Sequence, residues 1–178
     1  MRTPPSETPT HAAVALVPTR PAHLAELSTW FRTERACREW GGPSFRFPFD
    51  AASFRADTRC DEIPSYSLQS VGADVLLGFG QYYLRNGRCH FARLAIAPDH
   101  RGRRLGVELV NRLAAVGRAD LRVSACSLFV LAANVPALRL YERLGFIRTP
   151  WPEDAPRLEG GLYMVQEAVI ALPRETDR

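Results

Sequence analysis

Between residues 98 and 106 the chain reads Pro98-Asp99-His100-Arg101-Gly102-Arg103-Arg104-Leu105-Gly106, an Arg/Gly turn that opens an apolar-periodic run. A helix start exposes unpaired backbone N–H groups, so a turn of this kind with flanking arginines suits a phosphate. A second segment, Asn134-Val135-Pro136-Ala137-Leu138-Arg139-Leu140-Tyr141-Glu142-Arg143-Leu144-Gly145-Phe146, follows the apolar run Ser127 to Ala132. It sets an amide, Asn134, at a strand end and a phenol, Tyr141, on the helix that follows. A third set is aromatic: Trp30 and Phe31, then Trp40 to Phe49 with Phe45, Arg46 and Phe47 inside it. These rings either line a pocket floor or plug a sheet edge. As a pocket they would hold an apolar stem, with Arg46 and Arg93 available to pair a carboxylate. His90 lies between these segments. Its imidazole titrates in the physiological range.

The elements that position these residues follow from the apolar pattern. Val14 to Val17 is a short strand. Pro21 suits a first helical turn, and Leu24, Leu27 and Phe31 repeat at helical spacing. Trp40 to Phe49 reads as a loop, and Asp50 can cap a short helix over Ala51 to Ala56. Tyr66 to Val71 and Val75 to Leu84 read as strands, and Asn86-Gly87 turns the second into Arg88 to Ala97. A helix beginning near Arg103 or Arg104 carries Leu105, Leu109, Leu113 and Val116 on one face, with Gly117 as its stop. Ser127 to Ala132 is apolar enough for a strand buried on both faces. Pro136 opens the next helix and Gly145 closes it. Phe146 to Arg148 and Leu162 to Ile170 end the pattern as strands.

At 178 residues the chain is long enough for one well-filled core. The expected organisation is a leader over 1–11, a single domain over 12–172 and a tail over 173–178. The leader is rich in Pro, Thr and Ser and has no apolar core of a signal peptide. No apolar run is long enough to span a bilayer, so no membrane partner is expected. The four cysteines, Cys37, Cys60, Cys89 and Cys126, are far apart and form no C-x-x-C pair. Reduced thiols in a cytoplasmic protein are expected, with no metal. The net charge is +4, and all 23 basic residues are arginine, scattered rather than striped, which argues against nucleic-acid binding. Asparagine occurs only at 86, 111 and 134. The first belongs to a turn; Asn134 has no such turn to explain it.

The turn at 101–106 and the string at 134–146, in this order of elements, resemble the GNAT family of N-acetyltransferases, over roughly residues 14–170. The resemblance implies an α/β fold of the α+β type. It has a mixed, mostly antiparallel sheet flanked by helices, with strands splayed at the cofactor site. It also implies acetyl-CoA as cosubstrate. The pyrophosphate would be cradled by Arg101, Gly102, Arg103, Arg104, Leu105 and Gly106. Glycine is usual in the family at the position of Arg104. Leu94, Ala95 and Ile96 would offer main-chain groups to the pantetheine arm and thioester. Asn134 and Ala137 would hold that arm. Tyr141 would sit near the sulfur and protonate the leaving thiolate. Many relatives carry a Glu on the strand before the turn; here His90-Phe91-Ala92-Arg93-Leu94 has no carboxylate. His90 or a water chain is left as the base. The family places acceptor-binding elements after the first helix, where Trp30, Phe31, Trp40, Phe45, Arg46 and Phe47 lie, with Arg93 nearby.

The expected activity is direct attack of a small-molecule primary amine on acetyl-CoA in a ternary complex, by a monomer or homodimer. Two alternatives stand beside it. One is acetylation of protein N-termini or side chains. The other is a non-catalytic acyl-CoA-binding module, prompted by Arg104 and the missing carboxylate.

Overall fold

The computed structural model describes residues 13–167. The leader and tail expected at 1–11 and 173–178 lie outside the described residues, as does the last part of the strand expected to reach Ile170. The elements run β1 (Val14–Pro18), α1 (Pro21–Ser28), α2 (Glu34–Gly41), α3 (Ala51–Thr58), β2 (Ser65–Ser70), β3 (Leu76–Arg85) and β4 (Arg88–Ile96). After a short turn at Pro98–His100 come α4 (Leu105–Leu121), β5 (Cys126–Leu131), α5 (Val135–Arg143), β6 (Ile147–Thr149) and β7 (Gly161–Gln166). No helix among the described residues is long and apolar enough to cross a membrane.

The strands form one seven-stranded sheet in the order β1-β2-β3-β4-β5-β7-β6. Every neighbouring pair is antiparallel except β4 and β5. That parallel pair needs a long crossover, and α4 supplies it. The β3–β4 hairpin closes on Asn86 and Gly87, both with positive φ (48° and 70°). A two-residue hairpin loop of this kind requires that conformation. Helices cover both faces. Leu105, Leu109 and Leu113 of α4, with Leu138 and Tyr141 of α5, pack on Leu94, Phe91, Leu128 and Val130. On the other face α1, α2 and α3 set Leu24, Leu27, Cys37 and Phe54 against Phe79 and Ala95.

Three expectations change. Residues 34–41, partly expected as loop, form α2. Thr33 caps it by accepting from the Ala36 amide at 3.2 Å. Glu34–Arg38 and Arg35–Glu39 pair along its outer side. The cap and the one-turn ion pairs explain a helix that its few apolar residues did not announce. Phe31 lies beyond the end of α1 but is still buried. Gly117 does not stop α4. A Cβ there would stand 2.5 Å from Cys89 Sγ and 3.0 Å from the Tyr82 ring, so this glycine lets the helix approach the sheet. The helix ends instead at Arg122, in the left-handed region at φ 54°. That conformation is a common helix stop.

Candidate functional site

Two local irregularities build the site. β4 and β5 pair only from Cys89↔Cys126 to Phe91↔Leu128. Beyond that, β4 continues along β3 to Ile96 and β5 continues along β7 to Leu131, so the two strands part. The main-chain groups of Leu94, Ala95 and Ile96 that face away from β3 therefore have no strand partner, as the splay expected of this sheet requires. The second irregularity is a bulge in β4. Phe79 pairs with Ala95 but Gln81 pairs with Ala92, so Arg93 and Leu94 together oppose Gly80. Arg93 adopts φ 50° there, and its carbonyl accepts from the Trp40 indole N–H at 2.9 Å.

A cavity of about 2310 Å³ runs through this split, lined from both faces of the sheet. Ligand pockets are commonly about 300–1,000 Å³, so this one is larger than a single ordinary pocket. On the α4/α5 side it is lined by Arg101, Gly102, Arg104, Leu105 and Gly106, and by Asn134, Ala137 and Tyr141. Arg103 is exposed and does not line it. No side chain caps the first turn of α4. The Val107 amide donates to the Arg104 carbonyl at 3.0 Å, and the Leu105 and Gly106 amides before it are left for an anion. Arg104 precedes that turn at φ 60°, and Gly102 lies at φ 77°. Arg104 thus holds the left-handed conformation that glycine adopts without strain, so the glycine-like turn is kept without the glycine. These residues fit a pyrophosphate-bearing nucleotide: uncapped amides, arginines beside them and an open strand edge leading away.

Asn134 has a structural task that the sequence did not disclose. Its Oδ1 accepts from the Ala137 amide at 3.3 Å and caps α5. Such a cap satisfies one of the donors left open by a helix start. The Asn134 amide nitrogen makes no hydrogen bond among the described residues. Tyr141 is 7% exposed and packs against Phe146 at 5.8 Å. Burial raises the pKa of its phenol above the ordinary value. Its phenol is therefore neutral, in an apolar setting.

His90 is 1% exposed, bonded through Nδ1 to Ser127 Oγ at 2.9 Å and walled by Tyr83 and Phe129. Burial, with a smaller contribution from Arg85, pushes its pKa down to about 3. Desolvation disfavours the charged imidazolium. His90 lines the cavity, and its imidazole is neutral and binds a proton weakly, which weighs against its serving as the base.

On the α1–α3 side the cavity takes in Trp30, Phe31, Trp40 and Arg93. Phe45, Arg46 and Phe47 do not reach it. Phe45, at 2% exposure, is sealed beneath Trp40 and against Phe54. Phe47 packs on Phe49 at 5.8 Å. Arg46 turns outward and grips Asp57 with Nη2 at 2.7 Å and its backbone N–H at 2.9 Å; this holds the Asp57 carboxyl below its ordinary range. The aromatic cluster is thus both wall and plug. Sequence reasoning missed Tyr83, Phe129 and Leu158, which line the opposite wall. Strand alternation was the available signal for Phe129, since Leu128 and Val130 beside it point into the α4/α5 core.

The comparisons with known proteins agree with this geometry. The family model described as the Acetyltransferase (GNAT) family matches residues 34–146. A stretch of 58 residues is 33% identical to the catalytic subunit of an N-terminal acetyltransferase B complex from Arabidopsis thaliana, covering 33% of each chain. Another of 88 residues is 35% identical to N-acetyltransferase aca1 of Schizosaccharomyces pombe, covering 46% of this chain and 42% of that one. The chain thus spans only a third to under half of the length of these relatives. Among solved structures, spermidine N-acetyltransferase from Vibrio cholerae, in complex with CoA and spermine, superposes with a TM-score of 0.65 at 18% identity, over 86% of this chain and 95% of that one. Aminoglycoside acetyltransferase AAC(6')-Ib, in complex with coenzyme A, gives a TM-score of 0.65 at 21% identity, over 87% and 95%. At such identities the likeness is one of fold. With the split between β4 and β5, the bulge at Arg93 and a family match across well over half its length, this chain belongs to the GNAT acetyltransferase family.

Proposed function

We propose that this protein transfers an acetyl group from acetyl-CoA to the primary amine of a small molecule, by direct attack within a ternary complex. The observation that carries the reading is the single cavity through the β4/β5 split, which joins an uncapped helix start to an aromatic wall on the other face. Acetyl-CoA supplies the activated acetyl group. The first-turn amides of α4, with Arg101 and Arg104, hold its phosphates. Asn134 offers its free amide nitrogen to the arm, beside Ala137. The open edge at Leu94 to Ile96 orients the thioester and offers N–H groups to its carbonyl oxygen. The Tyr141 hydroxyl holds the proton that the departing sulfur needs. The proton of the acceptor ammonium leaves through water, with His90 neutral in the wall. The four free thiols support a reducing compartment such as the cytoplasm.

The test is acetyl-CoA consumption with release of free CoA, across amines, amino acids, polyamines and peptides, beside calorimetry of acetyl-CoA binding. Saturable turnover with a small amine is the expected result. Turnover with peptides alone would favour protein acetylation. Tight binding of acetyl-CoA with no turnover on any amine would favour a binding module.

A further inference from the structure

Arg93 is a largely buried cation with no carboxylate beside it. Its Nη1 donates to Gln81 Oε1 at 3.0 Å, and its Nε is enclosed without a hydrogen-bond partner. Gln81 cannot turn away, because its amide nitrogen is committed to the Thr58 carbonyl at 2.9 Å and Ser65 Oγ at 2.8 Å. Asp57, whose charge is felt at Arg93, is already taken by Arg46. Arg59 adds positive charge nearby, itself paired to Glu62. Burial works against the guanidinium charge, offset only in part by Gln81 and by the more distant charge of Asp57. Such a group is stabilised by an anion that enters with a ligand.

The position is specific. Arg93 lines the cavity beside the β4/β5 split, and its carbonyl is pinned by Trp40 of α2. It stands on the side of the aromatic wall, away from the uncapped start of α4 that suits phosphates. With Nη1 held by Gln81 and Nε enclosed, Nη2 and the second Nη1 hydrogen are left as the open end of the fork, which matches a carboxylate rather than a point charge.

We propose that the amine acceptor carries a carboxylate held by Arg93, so that the acceptor class is amino acids and related amino carboxylates. This rests on the N-acetyltransfer reading above. It separates the chain from spermidine N-acetyltransferase, whose named ligand spermine is a polycation. Of the four acidic residues lining the cavity, Glu39 and Glu62 are paired with Arg35 and Arg59, and Glu26 and Asp99 make no ion pair among the described residues.

The experiment compares each proteinogenic amino acid with its own carboxamide as acceptor, in wild-type protein with acetyl-CoA, recording kcat/KM for both. The carboxylates should lead by about 10–100-fold, the range of a hydrogen bond to a charged group. Arg93→Gln should collapse that ratio towards one, chiefly by raising KM for the acids. Arg93→Lys, which keeps the charge without the fork, should restore part of it. The comparison in wild type needs no variant, so a folding defect at position 93 leaves the test standing. Carboxamides used as well as or better than the acids would overturn the proposal and leave N-acetyltransfer intact, as would a ratio that survives Arg93→Gln. No turnover of either set by protein that binds acetyl-CoA in calorimetry would overturn both.

Discussion

The Tyr141 hydroxyl makes no hydrogen bond among the described residues, while its ring fills the core beside Phe146. Removing the oxygen alone should leave folding and acetyl-CoA affinity nearly unchanged. Tyr141→Phe should lower kcat by about 10²–10⁴-fold, the usual worth of a general acid. Near-normal kcat with chemistry rate-limiting would place the proton elsewhere. His90 makes a different forecast. In the unfolded chain a histidine takes up a proton near its ordinary pKa of about 6.5. In the fold this one resists protonation down to about 3. Its contribution to stability is therefore intact above the unfolded value and is lost as the pH falls towards the folded one. Within that window the loss is on the order of 1.4 kcal/mol per pH unit. His90→Gln should flatten this dependence. Denaturant melts at pH 7 and pH 4.5 check it, and an equal gap between variant and wild type at both would refute the buried neutral imidazole.

At Gly117 α4 meets the sheet more closely than any side chain permits. Gly117→Ala gains about 1 kcal/mol in helix propensity and loses about 1–3 kcal/mol by overpacking. The loss should prevail, because Cys89 and Tyr82 are enclosed and have nowhere to move. In a Cys89→Ala background, which removes the sulfur at 2.5 Å, the same substitution should cost less. Thermal melts of the four proteins measure this coupling. The same glycine shows why sequence reading reached some elements and not others. Glycine ends helices and also admits neighbours, and only the fold distinguishes the two. The Asn86-Gly87 hairpin and the leucine stripe of α4 were readable because each is written locally. α2 was not, since Ala36, Cys37 and Trp40 are too few to mark a face. The cofactor end of the site was readable from two contiguous strings. The acceptor end was not, because it depends on distant pairings: Trp40 with Arg93, and Arg46 with Asp57.

The cavity reaches both faces of the sheet, which gives the proposed ternary complex a place for each substrate. Cys37, Cys89 and Cys126 are buried in the two cores. Initial rates at varied acetyl-CoA and amine should give intersecting double-reciprocal lines, and protein incubated with acetyl-CoA alone should show no acetyl adduct by intact mass. Parallel lines with an adduct would mean that an acetylated protein intermediate exists. The aromatic walls carry one more consequence. The chain has three tryptophans. Trp30 and Trp40 line the cavity, and Trp151 stacks at 4.5 Å on Phe129, which also lines it. Every indole is thus in the cavity wall or one ring behind it. The ultraviolet emission of the unlabelled protein should therefore shift as the cavity fills. Trp30 and Trp40 both lie on the side proposed for the acceptor, so its binding would be seen as an optical signal without a dye.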